Sequence, residues 1–177
     1  MPASNPSRKL IHTRETIFTS YRREDGLMDL EAHLTDKKPE TFTHPNGMSW
    51  KAGDPIHDMW IRLTVNNQLQ ILDIAAKINS HPLDECPESI LDIKKLIGFN
   101  IGRGWRKVIE EQLGGIKGCT HIRQLLFNIA NAAFQSISAE IALTNPDVAP
   151  HFLDTCHGWD SKGPSVLKFY PKFYKAD

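Results

Sequence analysis

A thiol, a hydroxyl and an imidazole stand in consecutive positions at Cys119, Thr120 and His121, directly after the glycine-rich run Gly114-Gly115-Ile116-Lys117-Gly118. A helix start offers unpaired backbone N–H groups and a partial positive charge, so a thiol there can be acidified and an oxyanion can be held. The simpler alternative is capping, with Thr120 or Cys119 as the cap and the glycines permitting the turn. A second candidate is His57, in Pro55-Ile56-His57-Asp58-Met59-Trp60. Its period-two mates are Met59, Ile61, Leu63 and Val65. An imidazole at the polar end of such a row is either a satisfied core histidine or a base bordering a pocket. Asp58 points the other way in a regular strand, so an Asp58–His57 relay requires a bulge. Glu31, with His33, lies on the polar face of its own strand. That face is either solvated or a pocket in which Glu31 serves as general base beside Arg22, Arg62 or Trp60.

Metal and cofactor signals are weak by comparison. His57, His121, Cys86 and Cys119 would satisfy zinc chemically, yet the chain has no CxxC, HxxxH or HExxH spacing. It also lacks GxGxxG after a strand, GxxxxGK[ST] and GxSxG. Dinucleotide binding, phosphate-loop chemistry and serine hydrolysis are therefore unsupported, and the expected site carries no metal and no cofactor.

These residues must be positioned by a fold, and the periodicity gives an α+β one. His12–Arg23 is rich in Thr, Ile, Phe and Tyr and reads as a strand. Asp25-Gly26 signals a hairpin into Leu27–Lys38, where Met28, Leu30, Ala32 and Leu34 share a face. After a proline- and glycine-containing loop over 39–55, Ile56–Val65 is the third strand. Asn66-Asn67 turns it into the fourth, Leu69–Ile78. Two hairpins make a four-stranded antiparallel sheet with one face covered. Three helices follow. One starts near Pro87 and ends near Gly98, one covers Trp105 to Gly114, and a long one spans Cys119–Leu143. In the last, Ile122, Leu125, Ile129, Ala133, Ile137 and Ile141 recur at helical steps, and Asn145-Pro146 stops it. The expected organisation is a flexible terminus over 1–9, a single α+β domain over 10–145 and a tail over 146–177. The tail wraps the domain or a partner subunit, and its Phe and Tyr residues leave room for a homo-oligomer.

The 177 residues suffice to bury a core without staples. Twenty-one basic and twenty-one acidic residues cancel, so no bulk basic footprint for nucleic acid is present. No window is apolar for the roughly 18 residues of a membrane span, which predicts no membrane partner. The N-terminal stretch lacks the apolar core of a secretory leader, and three irregularly spaced cysteines suit reduced thiols, so a cytoplasmic location is expected.

The series YRREDGLMDLEAHLTDKK, GDPIHDMWIRLTV, IGRGW and LGGIKGCTHIRQLL resembles the bacterial family of unknown function numbered 2889, over roughly residues 10–140. The resemblance implies that Glu31, His57, Asp58, Trp105, Cys119, Thr120 and His121 belong to the family motif. Where the family has a proline before Gly-Trp, this chain has Arg103, so that turn differs. The resemblance also implies a setting of bacterial aromatic-compound breakdown, lignin-derived compounds included. There, small cofactor-free lyases remove a hydroxymethyl carbon as formaldehyde. The expected activity is accordingly a base-catalysed, retro-aldol-type carbon–carbon cleavage of a small aromatic substrate. Its expected catalytic residues are His57, His121 and Glu31. Arg22, Trp60, Trp105, Thr120 and Cys119 would surround the substrate. A zinc-binding accessory protein and a non-catalytic binding module are the alternatives.

Overall fold

The computed structural model describes residues 7–102, 104–144, 147–150 and 152–176, the side chains of 138–144 excepted. The chain divides into one unit up to Ala132 and a second, Ala133–Asp177.

The first unit is built on strands β1 (Thr13–Arg22), β2 (Met28–Lys37), β5 (Pro55–Val65) and β6 (Ile71–Ser80), ordered β1-β2-β5-β6 and antiparallel throughout. The alternation read from the sequence sets its faces. Met28, Leu30, Ala32 and Leu34 of β2 and Met59, Ile61, Leu63 and Val65 of β5 are all buried. Ile17, Tyr21 and Trp60 stand exposed on the opposite face. Fully burying side chains of this size contributes about 1.5–3 kcal/mol each, which fixes the register, because a one-residue slip would turn the whole row outward.

Between β2 and β5, the segment expected as a plain loop carries a two-stranded ribbon, β3 (Phe42–Thr43) and β4 (Ser49–Trp50). Its turn is His44-Pro45-Asn46-Gly47, where Asn46 Oδ1 accepts the Met48 N–H. The β5–β6 hairpin is longer than Asn66-Asn67 alone predicts. Asn66 Oδ1 accepts the N–H groups of Gln68 and Gln70, which ties up a wider turn. Leu69 takes the positive φ, 64°, and β6 begins only at Ile71.

The helix expected after Pro87 is two 3-10 turns, Cys86–Ile90 and Ile93–Leu96. Only Ile93 and Leu96 bury there, and their spacing of three suits the tighter coil. Helix α1 (Trp105–Leu113) starts at Gly104, whose φ of 85° a side chain would strain. Trp105 is buried, and its indole N–H donates to the Leu126 carbonyl at 2.7 Å, tying α1 to helix α2 (Thr120–Thr144). Ile122, Leu125, Leu126 and Ile129 form the buried stripe of α2 in this unit. The first turn of the helix meets the covered face of the sheet through Arg14–Gln124 and His57–His121.

In the second unit α2 continues with Ala133 and Ile137 buried. The tail then closes on itself. Phe152, Trp159 and Tyr170 pack as an aromatic triad with centroids 4.6–5.7 Å apart, and Val166 of the short helix α3 (Pro164–Phe169) is buried. The expected contacts of Ile141, the stop at Asn145-Pro146, the turn at Arg103 and the first six residues lie outside the described residues. No helix among the described residues is long and apolar enough to cross a membrane.

Candidate active site

The inward row of β2 ends on a carboxylate. Asp36 has the parity of Leu34 and is 3% exposed. The register sets it opposite Arg14 of β1 on one side and His57 of β5 on the other. Irregularities at Asp36/Lys37 and at Asp58/Met59 bracket the pair, and bulges of this kind re-aim side chains at strand ends.

Both Asp36 oxygens are committed. Oδ1 accepts from His12 Nε2 at 2.8 Å and from Arg14 Nε at 2.7 Å. Oδ2 accepts from Arg14 Nη2 at 2.6 Å and from His57 Nδ1 at 3.0 Å. Burial by itself would raise the Asp36 pKa, but the two-pronged guanidinium, with the two imidazoles, holds it down to about 2. Because a carboxylate only accepts, His57 carries its proton on Nδ1, and its Nε2 keeps a lone pair.

His121, from the first turn of α2, lies against His57 with ring centroids 4.0 Å apart and planes tilted by 39°. Its Nε2 is 3.8 Å from Asp36 Oδ2, and its Nδ1 is 3.7 Å from Cys119 Sγ. Burial lowers the pKa of both imidazoles, against the pull of Asp36. For His121 the neighbouring His57 and Arg14 add to the effect and push it to about 4. Both rings are therefore neutral at pH 7, the form that accepts a proton.

The glycines before this turn have a steric purpose. A Cβ on Gly118 would lie 2.8 Å from the Leu113 carbonyl oxygen, and one on Gly114 would lie 2.2 Å from that of Glu110. Only bare backbone lets the chain double back from α1 and deliver Cys119 and His121 at the start of α2. The Cys119 carbonyl accepts the first helical N–H, from Arg123, while Thr120 is exposed.

His57 also forms one wall of a cavity of about 300 Å³, lined further by His12, Arg14, Asp36, Lys38, Phe42, His44, Ile56 and Pro82. The β3–β4 ribbon supplies Phe42 and His44.

The remaining expected site residues lie elsewhere. Glu31 is paired in register with Arg62 and, with Trp60, occupies the face of the sheet opposite His57. Glu31 therefore does not share the His57 cavity, since parity along a strand separates them. On that outer face Trp60 stacks on His33 at 3.8 Å, and His33 Nε2 donates to Asp58 Oδ1 at 2.7 Å. The partner of His57 is thus Asp36 across the ladder rather than Asp58 beside it. Arg22 donates to the Gly26 carbonyl and to Asn67 Oδ1 at the far, hairpin end of the sheet. Trp105 is held in the core by Leu126.

The residues that sequence reasoning missed are Asp36, Arg14 and His12, with Lys38, Phe42 and His44 around the cavity. A signal existed for Asp36, a charged residue continuing the apolar parity of β2 directly across from the polar end of the His57 row.

As for metal ligands, the cluster that comes together among the described residues is Asp36, His57 and His121, whose ligand atoms all lie within 4.8 Å of one another. Cys86, Cys119 and Cys156 are free thiols and do not join it.

The family described as protein of unknown function, DUF2889, matches residues 12–135, and the chain belongs to it. No curated protein and no solved structure matches the chain. The matched span takes in the whole sheet and the first four turns of α2, and so every residue around Asp36.

Proposed function

We propose that this DUF2889 protein is a cofactor-independent lyase that cleaves a carbon–carbon bond of a small aromatic substrate and releases formaldehyde. The observation that carries this reading is the Asp36–His57 pair. It is a buried carboxylate that fixes the tautomer of a neutral imidazole at the wall of a cavity large enough for one aromatic ring.

His57 Nε2 takes the proton of the substrate hydroxymethyl oxygen. The carbon–oxygen bond becomes the carbonyl of formaldehyde as the adjacent carbon–carbon bond breaks. The electron pair stays on the carbon left behind, where the substrate's own conjugated system delocalises it, and the His57 imidazolium returns the proton there. Nothing is oxidised or reduced overall, and the base is regenerated. General-base assistance of this kind contributes about 10²–10⁴-fold. Asp36 stabilises the imidazolium, while Phe42 and Ile56 offer apolar walls to the ring. His121 acts through His57, keeping its ring in place by face contact. Glu31, Arg22, Trp60 and Trp105 have no part in this step.

The test is formaldehyde release from a panel of aryl substrates bearing a hydroxymethyl carbon next to the benzylic position. Release by the native chain, and its loss in His57→Ala with an unchanged thermal midpoint, is the expected result. Absence of release across the panel, or full activity in the variant, rejects the proposal.

A second reading has one observation in its favour, the three ligand atoms of Asp36, His57 and His121. A divalent cation such as zinc would have to bind an Asp36 oxygen that already accepts from Arg14 at 2.6 Å, close to a fixed positive charge. One equivalent of zinc per chain in the purified protein, by elemental analysis, would put these residues in ligand roles.

A further inference from the structure

The chemistry of the cavity wall restricts what it accepts. Two side chains there carry permanent positive charge, Arg14 and Lys38, against the single carboxylate of Asp36. Asp36 has nothing left to offer a ligand, since both its oxygens are taken by Arg14, His12 and His57. Lys38 is the reverse case. Among the described residues it makes no ion pair, and its ammonium lies 5.1 Å from the centre of the Phe42 ring. Glu40, two residues further along the chain, bonds to Lys9 instead. His44 adds a neutral donor, because its Nδ1 accepts the Asn46 backbone N–H and its proton therefore sits on Nε2. The rest of the wall, Phe42, Ile56 and Pro82, is apolar and includes a flat aromatic face.

We infer that this cavity takes a small aromatic molecule bearing one anionic oxygen group, a carboxylate or a phenolate, with Lys38 as its counter-charge. The inference rests on the reading of the cavity as the substrate site and adds the charge of the substrate. A cation held over an aromatic ring in a wall that is otherwise apolar pairs with an anion whose body lies against the apolar side chains. The already neutralised Asp36 presents no repulsion to that anion. A cationic ligand would meet Arg14 and Lys38 and be excluded. The Lys38 charge is specificity-determining here and takes no part in breaking the bond.

Benzoate, 4-nitrophenolate and the neutral isostere benzamide, titrated calorimetrically into the native chain at pH 8, separate charge from shape. Benzoate or 4-nitrophenolate should bind at least tenfold more tightly than benzamide, and whichever of the two binds better identifies the anionic group. Lys38→Met should lose that tenfold while leaving benzamide unchanged, and Lys38→Arg should restore it. Thermal midpoints of both variants serve as the folding control. Equal affinity for benzoate, 4-nitrophenolate and benzamide, no binding of any of them, or full anion affinity in Lys38→Met overturns the inference. None of these probes carries a hydroxymethyl group, so binding is scored apart from turnover. Anion binding without formaldehyde release from the aryl panel would reject the lyase and leave the charge selectivity standing.

Discussion

Replacing His121 by Gln should make the protein more resistant to acid, and the structure gives the size of the effect. The ring is pressed against His57, one-fifth exposed, and its pKa is pushed from 6.5 to about 4. In the unfolded chain it titrates near its ordinary value, so between pH 6.5 and about 4 the unfolded state binds the extra proton. Stability therefore falls as the pH drops through that window. At roughly 1.4 kcal/mol per pH unit the loss approaches about 3 kcal/mol, and partial solvent access trims it to about 2. Asp36 works in a different window. Its pKa, lowered from 3.8 to about 2, gives stability that is lost only as the pH falls from about 4 to about 2. Thermal midpoints at pH 7.5 and 4.5 thus sample the histidines with little contribution from Asp36. For a chain of this length about 2 kcal/mol corresponds to about 4–8 °C. Native protein should drop by that much more than His121→Gln between the two pH values. Parallel curves would refute the reasoning, because they would mean that the folded ring takes a proton as easily as the unfolded one.

Two further substitutions separate the faces of the sheet. Asp36→Asn replaces the carboxylate that fixes His57 by a neutral amide with one accepting oxygen, and strips Arg14 of its counter-charge. Formaldehyde release should fall about a hundredfold in kcat with KM within about twofold, and chemical denaturation should show a loss of about 2–3 kcal/mol from the unpaired guanidinium. Glu31→Gln, on the opposite face, should leave kcat and KM within about twofold of native, and a hundredfold loss in steady-state assays would place the chemistry on the outer face instead.

The strands were legible because period-two alternation is a burial pattern, and burial is what the sheet's covered face imposes on Met28 to Leu34 and on Met59 to Val65. The long helix was legible for the same reason at its own period. The segment after Pro87 was not, since Ile90, Ile93, Leu96 and Ile97 fit a helix by spacing while only Ile93 and Leu96 find cover, which two tight turns supply. Of the site, His57 and His121 could be named from position alone, one ending an apolar row and the other following a glycine run into a helix. Their partner needed the pairing register, because Asp36 and His57 meet only once β2 and β5 are aligned antiparallel to the residue. The cavity needed more still. Phe42 and His44 reach it on a two-residue ribbon too short to show any period, whose one local sign is the Pro45-Asn46-Gly47 turn.

The sheet carries a histidine–aspartate pair on each face, and their surroundings decide which can work as a base. On the outer face His33 donates to Asp58, which is 22% exposed and has Asn79 as its other side-chain partner. Trp60 lies flat on that imidazole at 3.8 Å, and the hollow that the two line together with Glu31 is about 140 Å³, half the inner cavity. On the inner face Asp36 is 4% exposed at its side chain and clamped at both oxygens by a guanidinium, which holds it against rotation. His57 adjoins the larger cavity and is backed by a second neutral imidazole. A base must be oriented before the substrate arrives and must keep its lone pair on the substrate's side. The inner pair is held as the proposed base would need to be, because β1, β2, β5 and the start of α2 each contribute one residue to a single cluster. The outer pair, whose carboxylate bonds to the Asn79 amide rather than to a guanidinium, is the arrangement of a hydrogen-bonded surface.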